Sequence, residues 1–348
     1  MRQNFIFIVC TIIFILSGCT GSSSANPVAP VNNLEGNLDT KVDPDIDDNP
    51  GDNSETTGNN SPEVEDYKWH PDLSEPYTEI TEDVAIESTN GIYLYAHLHK
   101  PSFASAEMPC HGLILVPGGT QTGNAWHASW KKSNTRHWTQ AGFIVIDFDF
   151  QGRGNTPGEE DWYGPVHRED LKAVIEYMNQ RDDVLPIGAG IVTSSWGITV
   201  AAATLAENKD LNIRFLVDKE GSSDRYSSTQ WDDPYWIDLL GNGNDTSVDE
   251  YWDPRESITF QPYITVPYIR IQSDMDHAMD IFYVDHAIAL VNAAVEGLCP
   301  YVQLNNMQVL RPLDAGDMDS IDWVDIDNLD DELYMQVIKA SVSDFTGK

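Results

Sequence analysis

Thr193-Ser194-Ser195-Trp196-Gly197 stands between a buried-looking apolar run, Ala189–Thr193, and a segment of helical pattern, Ile198–Glu207. A strand that passes straight into a helix needs a sharp turn, and small residues on either side let that turn close. Such a turn lifts a serine oxygen above the edge of a sheet. The helix N-terminus behind it supplies backbone N–H groups and the positive end of a dipole, both favourable to a developing oxyanion. The pentapeptide is a weak signal by itself, so its surroundings decide its reading.

Those surroundings alternate strand with helix. Val84–Glu87 and Ile92–His97 read as short strands joined at Asn90-Gly91, a strong hairpin signal. Gly112–Val116 is apolar throughout, Phe143–Phe148 is another buried strand, and Phe215–Val217, Tyr268–Gln272 and Tyr301–Leu304 follow downstream. Helical spacing is read over Trp126–Ala141, Arg168–Gln180, Ile198–Glu207, Asp280–Glu296 and Asp331–Val342. In Arg168–Gln180, Leu171, Val174, Ile175 and Met178 share one face. Strands that are apolar on both faces and alternate with helices mean a mostly parallel sheet covered on both sides. Eight strands are expected. The stretch 222–262, with no clear strand, reads as a small cap between the sixth and seventh.

Taken in order, these segments resemble the α/β-hydrolases, and most nearly the dienelactone-hydrolase and prolyl-oligopeptidase-like branches. The pentapeptide resembles their nucleophile elbow, small-x-Ser-x-Gly, with Thr193 where the first Gly is usual. Pro117-Gly118-Gly119-Thr120 follows the third strand, where that family forms half its oxyanion hole. The resemblance implies Ser195 as nucleophile and the backbone N–H groups of Gly119, Thr120 and Trp196 as oxyanion donors. After the fourth strand, Asp149-Phe150-Gln151-Gly152-Arg153-Gly154-Asn155-Thr156-Pro157-Gly158 is similar to a stretch found in many esterases and peptidases of this fold, and is expected to be structural and to shape the pocket wall.

The acid should follow the seventh strand. Ile271-Gln272-Ser273-Asp274-Met275-Asp276-His277 resembles the family pattern there and points to Asp276, with Asp274 next and Glu220, at the end of the sixth strand, third. Its task would be to fix the tautomer of a histidine. The family places that histidine after the eighth strand, but here the loop begins Asn305-Asn306-Met307 and the last histidine of the chain is His286. His277 is the best substitute base. Adjacent side chains diverge, so its acid would more naturally be Asp274 or Glu220 than Asp276. His167 is a second candidate, His286 reads as a packed helix histidine, and His127 and His137 read as helix-surface or outer residues.

The chain has 348 residues, 41% of them hydrophobic, which is enough for a full core. Its formal net charge of −36 argues against nucleic acid or an anionic membrane surface as partner, because both are polyanions. Residues 20–75 carry 13 acidic and 2 basic side chains with few large apolar ones. Such a segment cannot bury enough surface to offset the entropy of ordering, and 19–75 reads as a solvated, disordered acidic linker. The folded domain is expected over 76–348, and it too is acidic.

The N-terminus reads as an address. The apolar run Phe5–Leu16 is too short to span a bilayer as a helix. Leu16-Ser17-Gly18-Cys19 then resembles the bacterial lipobox, which implies cleavage of residues 1–18, lipid on Cys19, export, and retention at the cell envelope. Thr20 after the cysteine resembles the pattern sorted to an outer membrane. Of the remaining cysteines, Cys110 and Cys299 fall on well-separated strands.

Other clusters have plainer readings. Trp231, Tyr235, Trp236, Tyr251 and Trp252 could stack on a substrate ring, but more commonly pack a cap. Asp43, Asp45, Asp47 and Asp48, and Asp314, Asp317, Asp319 and Asp322, suit solvated acidic loops. No zinc-finger spacing is present, Gly188-Ala189-Gly190 precedes its strand and is no dinucleotide fingerprint, and neither a metal nor a cofactor is expected. The expected activity is serine hydrolysis of a small ester or, second, a peptide, through an acyl-enzyme. The alternatives are a binding protein that has lost the histidine and an acyltransferase.

Overall fold

Nine strands form one sheet in the computed structural model, which describes residues 77–228, 247–277 and 283–345. They are β1 (Glu79–Glu87), β2 (Tyr93–Pro101), β3 (Gly112–Val116), β4 (Ile144–Phe148), β5 (Ala189–Ser194), β6 (Ile213–Lys219), β7 (Tyr268–Ile271), β8 (Val302–Leu304) and β9 (Met307–Gln308). Their order across the sheet is β1-β2-β4-β3-β5-β6-β7-β8-β9. The pairs from β4 through β8 are parallel, while β1, β2 and β9 run antiparallel to their neighbours.

The alternation of side chains along each strand separates two cores. Ile114, Val116, Ile144, Ile146 and Phe148 point to one face, where the helices Pro165–Asn179, Gly197–Glu207 and Asp285–Glu296 cover them. Leu113, Leu115 and Val145 point to the other, under Trp126, Trp138 and the helix Leu329–Val342. All five residues of β3 and of β4 are buried, as a strand covered on both faces requires, Asp147 of β4 among them.

Three expectations are corrected. The sheet has nine strands, not eight, because Asn305-Asn306 is a two-residue turn and Met307–Gln308 folds back on β8. Asn305 takes φ 51, a left-handed conformation that asparagine tolerates. β1 and β2 are nine residues each, longer than expected, since β1 is an edge strand whose polar outer face carries no apolar signal. Trp126–Ala141 is not one helix. A short turn, Gly123–His127, is followed by a break and then the helix Thr135–Gln140, which Asn134 caps by accepting from the His137 N–H at 2.9 Å. Cys110 and Cys299 are both free thiols.

Under the nucleophile strand lies a buried polar chain. Arg270 and Asp218 are fully buried and pair at 2.6 Å, and the Tyr268 hydroxyl donates to Asp218 at 2.8 Å. The Thr193 hydroxyl also donates to Asp218, at 3.3 Å, which gives a physical reason for threonine where glycine is usual. Removing one partner of such a pair leaves the other charge uncompensated. Arg270→Met is therefore expected to cost about 3–5 kcal/mol, read as a lowered urea midpoint. Arg270→Met/Asp218→Leu should recover part of that loss. A single variant as stable as the parent would contradict a paired buried charge.

Candidate active site

β5 ends at Ser194 and the helix begins at Gly197, so the turn is two residues long, Ser195 and Trp196. The φ of Ser195 is 52, a strained left-handed conformation for a residue with a Cβ. The Ser195 N–H donates to the Lys219 carbonyl at 2.9 Å, which ties the turn to β6. Two glycines allow the neighbouring loop to press against it. A Cβ on Gly118 would lie 2.5 Å from the Ser194 carbonyl oxygen and 2.8 Å from the Ser195 Cβ, and one on Gly197 would lie 2.9 Å from the Pro117 oxygen. The turn after β3 and the turn after β5 are thus one packed unit.

That unit is braced from behind. The Tyr163 hydroxyl donates to the carbonyls of Pro117 (2.8 Å) and Gly119 (3.0 Å), and accepts from Arg153 Nη1 at 2.8 Å. Arg153 in turn pairs with Glu160 at 2.7 Å. A trans peptide points its N–H opposite to its C=O, so pinning the Gly119 carbonyl sets the direction of the Thr120 N–H. The segment Asp149–Gly158, through Arg153, therefore helps hold the turn after β3 in place, a structural part as expected; none of its residues is among those that line the cavity at Ser195. If the turn after β3 supplies the oxyanion donors that the sequence resemblance implies, Tyr163→Phe should lower the kcat of any Ser195-dependent hydrolysis about 10- to 100-fold with little change in KM, a fraction of what a lost oxyanion donor costs. A KM effect alone would contradict a positioning role.

Ser195 opens into a cavity of about 470 Å³. Gly119, Thr120 and Trp196 line it, as do both His277 and His286. Nδ1 of His277 lies 2.8 Å from Oε2 of Glu220, a carboxylate that is 1% exposed. Glu220 has φ 49, its N–H donates to the Ile271 carbonyl, and its other oxygen accepts from the Ser273 hydroxyl. Asp276 takes a different partner. Its Oδ2 lies 3.2 Å from His286 Nε2 and accepts from Gln272 Nε2 at 3.3 Å. Adjacent side chains therefore face two separate carboxylate–imidazole pairs, and of the two acids expected for His277, Asp274 and Glu220, it is Glu220 that lies beside it. A carboxylate oxygen of Glu220, one of Asp276 and a ring nitrogen of His277 still lie within 4.8 Å of one another.

The other candidates are placed elsewhere. Asp274 accepts from the Ile326 N–H at 3.1 Å and is absent from the cavity lining. His167 is fully buried behind the oxyanion loop, against the Gln151 carbonyl and the Tyr163 N–H, and burial lowers its pKa to about 4. His286 is more than a packing residue, since it reaches the cavity; burial depresses its basicity and Tyr283 stacks on it at 5.2 Å. Asn305 is buried and clamped to Gln272 and Asp322, and it is the later segment before and at the start of the helix Leu329–Val342 that reaches the cavity, through Ile326, Leu329 and Asp330. Of the aromatic residues between β6 and β7, Trp252 is buried and Tyr251 stacks on Arg255 at 4.2 Å; Trp231, Tyr235 and Trp236 lie outside the described residues.

Lys131, Lys219 and Asp330 on the opposite wall were not legible in the sequence, because no motif marks them. Lys219 Nζ lies 3.3 Å from Asp330 Oδ1, which also accepts from the Ser133 hydroxyl at 2.7 Å. Trp130, 79% exposed, stands at the rim.

No family model and no curated protein matches the chain. Solved structures do. A Pyrococcus furiosus esterase superposes with a TM-score of 0.52 at 16% identity, over 78% of this chain and 96% of that one. An acylaminoacyl peptidase from Pyrococcus horikoshii gives 0.51 at 13%, over 67% of this chain and 37% of its own. A puromycin-hydrolyzing peptidase from Mycobacterium tuberculosis gives 0.52 at 16%, over 64% and 35%. At such identities the likeness concerns the fold, and the fold is that of the α/β-hydrolases.

Proposed function

We propose that this α/β-hydrolase-fold chain is a serine hydrolase of small carboxylic esters, with Ser195 as nucleophile and His277, oriented by Glu220, as base. The observation that carries the reading is that the strained Ser195 turn and the His277–Glu220 pair line the same cavity. In this proposal Nδ1 of His277 faces the Glu220 carboxylate, which leaves Nε2 as the nitrogen to take the serine proton. Ser195 Oγ attacks the ester carbonyl while His277 takes its proton. The oxyanion rests on the backbone N–H groups of Trp196 and of Gly119 or Thr120. The leaving alcohol departs with the proton from His277. Water, deprotonated by the same imidazole, then cleaves the acyl-enzyme and restores Ser195. Purified protein should hydrolyse short p-nitrophenyl esters; a folded protein with no turnover above buffer would favour the binding-protein alternative.

The same reading places the enzyme outside the cytoplasm on a lipid attached to Cys19. It rests on the Leu16-Ser17-Gly18-Cys19 motif and the acidic linker, which lie outside the described residues. Cys19→Ser should leave the protein uncleaved or soluble in the export compartment. If that variant still partitions into detergent as a mature lipoprotein, the anchor is misassigned.

A further inference from the structure

On the far side of β4 from the helix Pro165–Asn179, three histidines converge on one buried carboxylate. His97 and His99, two residues apart on β2, share a face of the sheet. Across the ladder His97 is directly opposite Asp83 of β1 on one side and Asp147 of β4 on the other. His127 comes down on the same spot from the turn Gly123–His127. His97 Nδ1 lies 3.0 Å from Asp147 Oδ1, while His99 Nε2 and His127 Nε2 lie 3.0 and 2.9 Å from Oδ2. Asp147 is fully buried. Among the described residues no lysine or arginine pairs with Asp147, Asp83 or Glu79, and every ion pair they make is with imidazole.

We propose that His97, His127 and Asp147 form a binding site for a divalent transition-metal ion of the zinc class. One ligand atom from each lies within 4.8 Å of the others, close enough to converge on a single ion. Imidazole nitrogen and carboxylate oxygen are the donors that zinc accepts, and three protein ligands leave a position for water. The buried Asp147 carboxylate lacks a permanent counter-charge, which a dication supplies. His99 is the outer support. It bridges Asp147 and Glu79, with Nδ1 3.1 Å from the Glu79 carboxylate, the carboxylate–histidine arrangement that orients metal ligands. The His97 and His127 side chains are 15% and 31% exposed, so an ion can enter. None of these residues lines the cavity at Ser195, and the ion would cross-link β2, β4 and the turn after β3. No sequence spacing announces the site because its ligands come from three separate segments; it runs against the expectation of no metal.

The test is equilibrium binding of Zn²⁺ by calorimetry to EDTA-stripped full-length protein, with metal content read by elemental mass spectrometry. One ion per chain is expected, together with a raised Tm in Zn²⁺. His97→Ala/His127→Ala should abolish that stoichiometric binding. His127→Gln, on a partly exposed turn that tolerates the change, should weaken it more than tenfold, and Glu79→Gln about tenfold. His277→Ala/Glu220→Gln should leave it intact, which separates this site from the cavity cluster. Absence of stoichiometric Zn²⁺ binding by the parent overturns the proposal, as does unchanged affinity in His127→Gln or loss of the ion in the His277→Ala/Glu220→Gln variant alone.

Discussion

Ser195→Ala is expected to cut kcat for p-nitrophenyl ester hydrolysis by about 10⁴- to 10⁶-fold, the scale of losing the nucleophile in a serine hydrolase. The reason is local. Ser195, at φ 52, lines the cavity and directly precedes the residues that open the helix Gly197–Glu207. The substitution removes one oxygen and no packing, so stability should hold. KM should change little, since the binding surface survives. Ester turnover that persists in Ser195→Ala would move the chemistry to another group and remove the basis for the assignment of the whole cavity.

The second large effect is expected at the base. His277→Ala should lower kcat by about 10³- to 10⁶-fold, because a serine hydroxyl is a poor nucleophile at neutral pH without an adjacent base. Glu220→Gln should cost about 10²- to 10⁴-fold, as an amide can no longer fix the imidazole tautomer. His286→Ala is the contrast. Its Nε2 is already committed to Asp276, and its Nδ1 is buried without a hydrogen-bond partner among the described residues. That ring is held in the wrong sense for a triad, so its loss should act mainly through stability and cost kcat at most tenfold. A His286→Ala loss larger than that of His277→Ala would reverse the assignment.

The central sheet was legible because β3 through β8 are short, mostly apolar runs, and burial on both faces confines their polar residues to a few positions such as Asp147, Asp218 and Arg270. The Ser195 turn was legible for a related reason: sterics demand small residues at fixed offsets, and the sequence displays them. Asp276 illustrates the limit. Its adjacency to His277 already implied that the two side chains diverge, but the partner it meets instead, His286, lies in a separate helix and no spacing announces it. Glu220 ranked low because a lone glutamate at the end of a strand is an ordinary surface residue; here it is buried by Ser273 and Ile271. The histidines on β2 were unread for the opposite reason, since His-x-His on an edge-proximal strand gains meaning only from a carboxylate 48 residues later across the ladder.

The central claim is that Ser195 is a nucleophile activated in place. The most direct measurement is to treat the purified protein with a fluorophosphonate, digest it, and locate the adduct by mass spectrometry. The account predicts one phosphonyl group per chain, on the peptide containing Ser195, formed rapidly in the parent and slowly in His277→Ala. A folded parent that stays unlabelled, or an adduct on any other residue, would contradict it.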